Sequence, residues 1–281
     1  MINTDNLQQV SDHYERGDVG ARILAALAAA GKPVDTLTLD DLAPADQFHI
    51  RGQLATRELL ALAHLTRGSQ VLDVGGGLGG PARVLASDLG CQVTVLDLAE
   101  AFCRAGELLT ARTGLQALVT FRQGNALDLP FPAESFDVVW TQHSSMNIAD
   151  KRQFYREMAR VLRPGGKLAL NEVMAGTAQP LHFPVPWASH AAISFLHPPA
   201  AVRSLIAQAG FNELVWQDVT PTALTWLQTR RPVQTASGEQ PALGLHLVLG
   251  PEVTTMGSNL LRNLAENRAV VVYGVFEKPN A

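Results

Sequence analysis

The sequence predicts a doubly wound α/β fold, a mainly parallel sheet of seven strands with helices on both faces. Three observations predict it. From about residue 68, short β-branched runs alternate with longer stretches of helical period, the pattern of βαβ units. Five glycines in six positions, within "VLDVGGGLGGPAR" (Val71 to Arg83), lie between one such run and a helical stretch. The composition, 47% hydrophobic and 17% charged over 281 residues, suits a globular chain with a large core, and no apolar run approaches the roughly 20 residues that a membrane helix needs.

Taken in order, residues 1–65 read as a helical cap, with Val19, Ile23, Leu24 and Leu27 on one apolar face before the turn-rich "GKPVDTLTLDDLAPAD". Residues 66–281 read as the core, with a lid and insert at about 176–267. Five strands are expected at "SQVLDV", "CQVTVLD", "ALVTFRQ", "FDVVWT" and "KLALNEV". Between them, Pro81 opens a helix that Gly90 ends, and Phe102, Ala105, Leu108 and Leu109 share a face of the next. A helix at about 150–163 buries Phe154, Met158, Val161 and Leu162, and "RPGG" should end it. Gln179 to Pro199, rich in proline and aromatics, suits a packed irregular segment. A helix near 200–209, a strand at "NELVWQDV", an insert around 221–267 and a strand at "AVVVYGVFEK" complete the chain.

A net charge of −4 lacks the overall basic excess that nucleic-acid binders use on phosphates. The first 30 residues show no basic stretch followed by an apolar one, so the expected location is the cytoplasm. Cys91 and Cys103, the two cysteines, suit reduced, buried thiols better than a disulfide scaffold or a zinc site.

The glycines allow tight turns of positive φ and close approach of the backbone to a ligand, at the positive end of the following helix. Gly75, Gly77 and Gly80 satisfy the G-x-G-x-x-G pattern of dinucleotide sites. Asp73 argues against a pyrophosphate, because a carboxylate at the mouth of the loop repels a diphosphate and attracts an ammonium or sulfonium. It could also simply cap local amides. Asp97, ending the second strand, stands where a carboxylate would accept from ribose hydroxyls.

Together, "VLDVGGGLGGPAR", the acidic end of "VTVLDL", "RQGNALDLPFPAESFDVVW" and "REMARVLRPGGKLAL" resemble the ordered motifs of class I S-adenosylmethionine-dependent methyltransferases over about residues 65–175. The resemblance implies a Rossmann-like sheet with S-adenosylmethionine as cofactor, S-adenosylhomocysteine as product and no metal. It implies that Asp73 with Gly75, Gly77 and Gly79 surrounds the aminoacyl part, that Asp97 and Leu98 meet the ribose, and that Asn125 and Ala126 meet the adenine. Many relatives have Asp at the position of Asn125. Within the family, "GGGLGGPAR" with "DQFHIRG" is similar to small-molecule O-, N- and C-methyltransferases such as the tocopherol, sarcosine/dimethylglycine and sugar O-methylating enzymes. The signature of enzymes that methylate DNA bases is absent, so the expected partner is a small-molecule acceptor, neither nucleic acid nor membrane. The sequence leaves the oligomeric state open.

Methyl transfer needs alignment and, for a hydroxyl or protonated amine, a proton acceptor. Of eight histidines, His143 has the best location, just beyond the fourth strand, where ligands sit in open sheets. Related enzymes often have a histidine where this chain has Asn147, so Asn147 and His49 are rival candidates for the same duty. His182, His190 and His197 lack the spacing of a metal motif and suit solvent or lid packing. Tyr14, Phe183, Trp187 and Phe195 are candidates for the apolar wall of an acceptor pocket, or ordinary core residues. Two other readings stay open: a nicotinamide-dependent oxidoreductase using the same glycines, and a cofactor-binding protein without catalysis.

Overall fold

The computed structural model describes residues 9, 14, 17–229 and 243–280. Its elements run α1 (Val19–Ala29), α2 (Leu39–Asp46), α3 (Gly52–Ala63), β1 (Gln70–Val74), α4 (Gly80–Leu89), β2 (Gln92–Asp97), α5 (Glu100–Arg112), β3 (Val119–Gln123), β4 (Phe136–Gln142), α6 (Lys151–Val161) and β5 (Leu162–Ala175). After an irregular stretch come α7 (Pro199–Gln208), β6 (Asn212–Asp218), α8 (Thr220–Thr229), the short α9 (His246–Leu249), α10 (Val253–Ala265) and β7 (Ala269–Glu277). Among the described residues the strands form one seven-stranded sheet in the order β3-β2-β1-β4-β5-β7-β6. Only β7 is reversed, pairing antiparallel with both β5 and β6.

This order follows from the sequence in simple steps. Strands β1 and β4 are buried along nearly their whole length, as parallel strands covered on both faces must be. The chain steps outward from β1 through β2 to β3, then returns to the other side of β1 with β4. The carboxyl ends of β1 and β4 therefore bound a crevice where the winding reverses, the place where open α/β sheets hold ligands. One apolar cluster includes Trp140, Val95 and Leu59. A second includes Leu72, Phe154 and Leu168.

The cap helices close on this core through specific contacts. α1 buries Val19, Ile23 and Leu27, and its Gly20 comes so near α5 that an added Cβ would lie 3.3 Å from Ala105. Thr38 and Asp41 form a capping box at the start of α2. At the start of α4, Arg83 is fully buried and reaches Asp46 at the end of α2 with a 2.7 Å ion pair.

One local expectation is corrected. The "RPGG" stretch does not separate helix from strand: α6 ends at Val161 and β5 begins at once with Leu162. The ladder with β4 jumps from Phe136↔Leu162 to Val138↔Lys167, so Arg163–Gly166 form an irregularity within the strand. Gly79 is not among the residues that line the cleft described below, and its conformation and neighbours require glycine. It has φ 76° and caps α4, and an added Cβ there would stand 2.6 Å from the Phe121 ring.

Candidate active site

At the reversal point lies a cleft of about 1320 Å³, its open mouth included. One side of it is built by the ends of β1, β2 and β3. Asp73, Gly75 and Gly77 line it from β1 and the loop, Asp97 and Leu98 from β2, and Asn125 and Ala126 from the turn after β3. Gly75 has φ 73°, and a Cβ on it would lie 2.4 Å from that of Ser144. Glycine there lets the loop cross close to the chain that follows β4.

Two carboxylates dominate this half. Asp73 is buried and its Oδ2 has no partner. Burial, and then the neighbouring Asp97, push its carboxyl up to about 7. Asp97 accepts from Gly77 N at Oδ2 and from Ala99 N at Oδ1, both at 2.9 Å. Its carboxyl is raised by burial against the opposing pull of these amides. A carboxylate has lone pairs left for further donors after two such bonds. Among the described residues no lysine or arginine lines the cleft. Asn125 turns its Oδ1 onto Leu127 N at 2.9 Å. The side-chain oxygen of Asn125 is thus already used to close a turn, with one lone pair remaining.

The other half is assembled from β4, the 143–148 loop, the strap between α2 and α3, and the irregular segment. His49 Nε2 lies 2.9 Å from Gly52 O. A carbonyl only accepts, so this nitrogen carries the proton and Nδ1 is left as an acceptor. The His49 and His143 rings meet edge to face, 6.0 Å apart. Burial lowers His49 to about 4. Burial and then His49 lower His143 to about 3. Both imidazoles are therefore neutral at neutral pH. His143 has φ 51°, and its Nε2 is buried without a partner.

Asn147 lines the cleft and also acts as a tie. Its Oδ1 accepts from Tyr14 OH at 3.0 Å, while Nδ2 donates to Trp187 O at 2.7 Å and Ile193 O at 3.0 Å. One amide thus fastens the N-terminal Tyr14 and the irregular segment to the loop after β4. Tyr14 and Trp187 line the cleft as expected. Phe183 and Phe195 are not among its lining residues. Phe183 packs on the apolar core, and Phe195 is held by its backbone N–H to Met146 O at 2.8 Å.

Sequence reasoning missed the supports of this half. Glu172, buried in β5, accepts from Thr141 Oγ1 (2.9 Å), Ser145 Oγ (2.8 Å) and Ser145 N (3.1 Å). Lys151 Nζ donates to Ser145 O (2.5 Å) and Ile148 O (3.1 Å). Opposite charges thereby hold the 143–148 loop from both sides. Gln142 was missed as well, along with Phe48, Leu249 and Leu260, which add apolar wall.

A mainly parallel sheet with a reversed seventh strand, a glycine loop after β1 and an acidic end to β2 defines the class I methyltransferase fold. The family model described as "Methyltransferase domain" matches residues 72–170. The chain is 27% identical over 177 residues to the glycine/sarcosine/dimethylglycine N-methyltransferase of Actinopolyspora halophila, covering 63% of this chain and 31% of that one. It is 32% identical over 171 residues to methyltransferase GfsG of Streptomyces halstedii, covering 59% and 58%. The matches thus span under two thirds of either relative. A geranyl diphosphate C-methyltransferase from Streptomyces coelicolor A3(2), solved with Mg²⁺, geranyl-S-thiolodiphosphate and S-adenosylhomocysteine, shares the fold at TM-score 0.70, with 16% identity and 99% of each chain covered. Residues 72–170 thus resemble a methyltransferase domain in sequence, and the chain shares the class I methyltransferase fold.

Proposed function

We propose that the protein transfers a methyl group from S-adenosylmethionine to an O, N or C atom of a small organic acceptor. The observation that carries this reading is the pair of carboxylates, buried Asp73 and half-buried Asp97, converging on a cleft that no cationic side chain lines among the described residues. Such a site attracts a ligand with positive charge and opposes the pyrophosphate of a nicotinamide dinucleotide. In this reading Asp73 faces the cationic aminoacyl end, Asp97 accepts from the ribose hydroxyls beside Leu98, and Asn125 and Ala126 meet the adenine.

When bound, S-adenosylmethionine supplies an electrophilic methyl on a sulfonium, which leaves as a neutral thioether. The chain's own residues align and desolvate. Trp187 and Met146, both buried, form apolar wall beside His49 and His143. Neutral His49, its Nε2 proton held by Gly52 O, offers Nδ1 to a hydroxyl or amine proton. Its depressed basicity makes it a weak base, so alignment and exclusion of water carry most of the acceleration.

Asp97→Ala should weaken S-adenosylmethionine binding by about 1–3 kcal/mol through loss of charge-assisted hydrogen bonds. Titration calorimetry of the folded variant checks this, and unchanged affinity would contradict the assignment. Among the described residues no helix is long and apolar enough to cross a membrane.

A further inference from the structure

The wall of the cleft carries one chain of hydrogen bonds in which every proton is fixed. Trp140 Nε1 donates to Gln142 Oε1 at 2.9 Å, and an indole N–H can only donate. Thr56 Oγ1 donates to the same oxygen at 3.1 Å and lies 3.1 Å from His49 Nε2. Gly52 O, which can only accept, stands at the other end of the chain. Turning the Gln142 amide over would set its NH₂ against the indole N–H, donor against donor. The arrangement therefore directs Oε1 to Trp140 and Thr56 and leaves both N–H bonds of Nε2 unused.

That Nε2 is buried and has no partner, on a residue only 8% exposed that lines the cleft. The neighbouring His143 Nε2 is also buried without a partner, but as one nitrogen of a neutral imidazole it is not thereby a donor. Buried polar groups left unpaired are costly, and a ligand atom of opposite character relieves the cost. A donor calls for an oxygen. The surroundings exclude a formal negative charge on that ligand, because Asp73 and Asp97 share the cleft and no lysine or arginine lines it among the described residues. A cation does not suit two N–H donors. Phe48, Met146, Trp187, Leu249 and Leu260 require the rest of the ligand to be apolar.

We propose that Gln142 Nε2 is the recognition donor for a carbonyl, ether or hydroxyl oxygen of an uncharged, largely apolar methyl acceptor. The proposal rests on the methyltransferase reading of the same cleft. Its test uses three probes with one apolar body: 2-naphthol, 2-naphthoate and 2-naphthylmethylammonium, each titrated by saturation-transfer NMR into protein saturated with S-adenosylhomocysteine. The neutral naphthol should bind about tenfold or more tighter than either ion. Gln142→Glu keeps an oxygen facing Trp140 and Thr56 but replaces the donor. It should lower naphthol affinity by about tenfold, shift preference toward the ammonium and leave S-adenosylhomocysteine binding unchanged. If that variant does not fold, Gln142→Met, which removes the donor without adding charge, should show the same loss for naphthol. Equal or tighter binding of naphthoate, unchanged naphthol binding in the folded variants, or binding of none of the three probes would overturn the proposal. Failure of S-adenosylhomocysteine to bind the wild type would instead strike the methyltransferase reading.

Discussion

The affinity of the protein for S-adenosylmethionine should rise about fiftyfold between pH 5 and pH 7, gain about twofold more above it and then level off. The cause is Asp73, whose carboxyl burial and Asp97 push up to about 7. Below that pH the empty cleft holds a proton on Asp73, and a cationic ligand must displace it. Each pH unit below the raised value then costs up to about tenfold in apparent affinity. Asp97, raised by the same burial, acts in the same direction. His49 and His143, at about 4 and about 3, titrate below this window. Lys151, lowered to about 8, lies above it. The sign for folding is the reverse of an ordinary ion-paired carboxylate. The folded, empty protein binds a proton that the unfolded chain releases from about pH 4 upward, so Asp73 makes the empty fold less stable as pH rises to about 7. Calorimetric titrations across the window measure the effect on binding. Asp73→Asn should remove most of the slope, leaving the part due to Asp97, and lower the plateau, and a flat wild-type profile would show that Asp73 is already ionised in the empty cleft.

Removing one partner of the Asp46–Arg83 pair should cost the fold about 3–5 kcal/mol. Both side chains are buried, and the contact is single: Arg83 Nη2 meets Asp46 Oδ2 at 2.7 Å, while Nη1 goes to Thr110 Oγ1 at 2.8 Å. Arg83 Nε and Asp46 Oδ1 have no partner. Burial raises the Asp46 carboxyl above its ordinary range in spite of the guanidinium beside it. Desolvation therefore outweighs attraction, and the pair serves to fix α2 against α4 more than to stabilise the fold. Asp46→Ala and Arg83→Met, each alone, strand a buried polar group. Together they should cost far less than the sum of the two. Urea unfolding of the four proteins completes the cycle. A single variant within about 1 kcal/mol of wild type would contradict this account of the pair.

The parts of the site legible in the sequence are those whose chemistry is local. A glycine run after a β-branched segment dictates a tight loop, and Asp73 and Asp97 follow from their places at strand ends. The interdigitating cap was legible as an amphipathic pattern in Val19, Ile23 and Leu27. What stayed hidden depends on partners distant in sequence. The role of Gln142 is set by Thr56, 86 residues earlier, and Glu172 is explained only by hydroxyls and amides some 30 residues before it. Asn147 was read as the replacement of a catalytic histidine, yet its three hydrogen bonds join Tyr14 to the segment around Trp187. No periodicity announces such a tie. The packing of Gly79 against Phe121, 42 residues later, was equally hidden.

The central claim, that this cleft takes a cationic sulfonium nucleoside, is tested most directly by titration calorimetry of the full chain with S-adenosylmethionine, S-adenosylhomocysteine and NADH at pH 8, above the Asp73 transition. Saturable binding of the first two and none of NADH is the expected result. Binding of NADH without the other two would contradict the account.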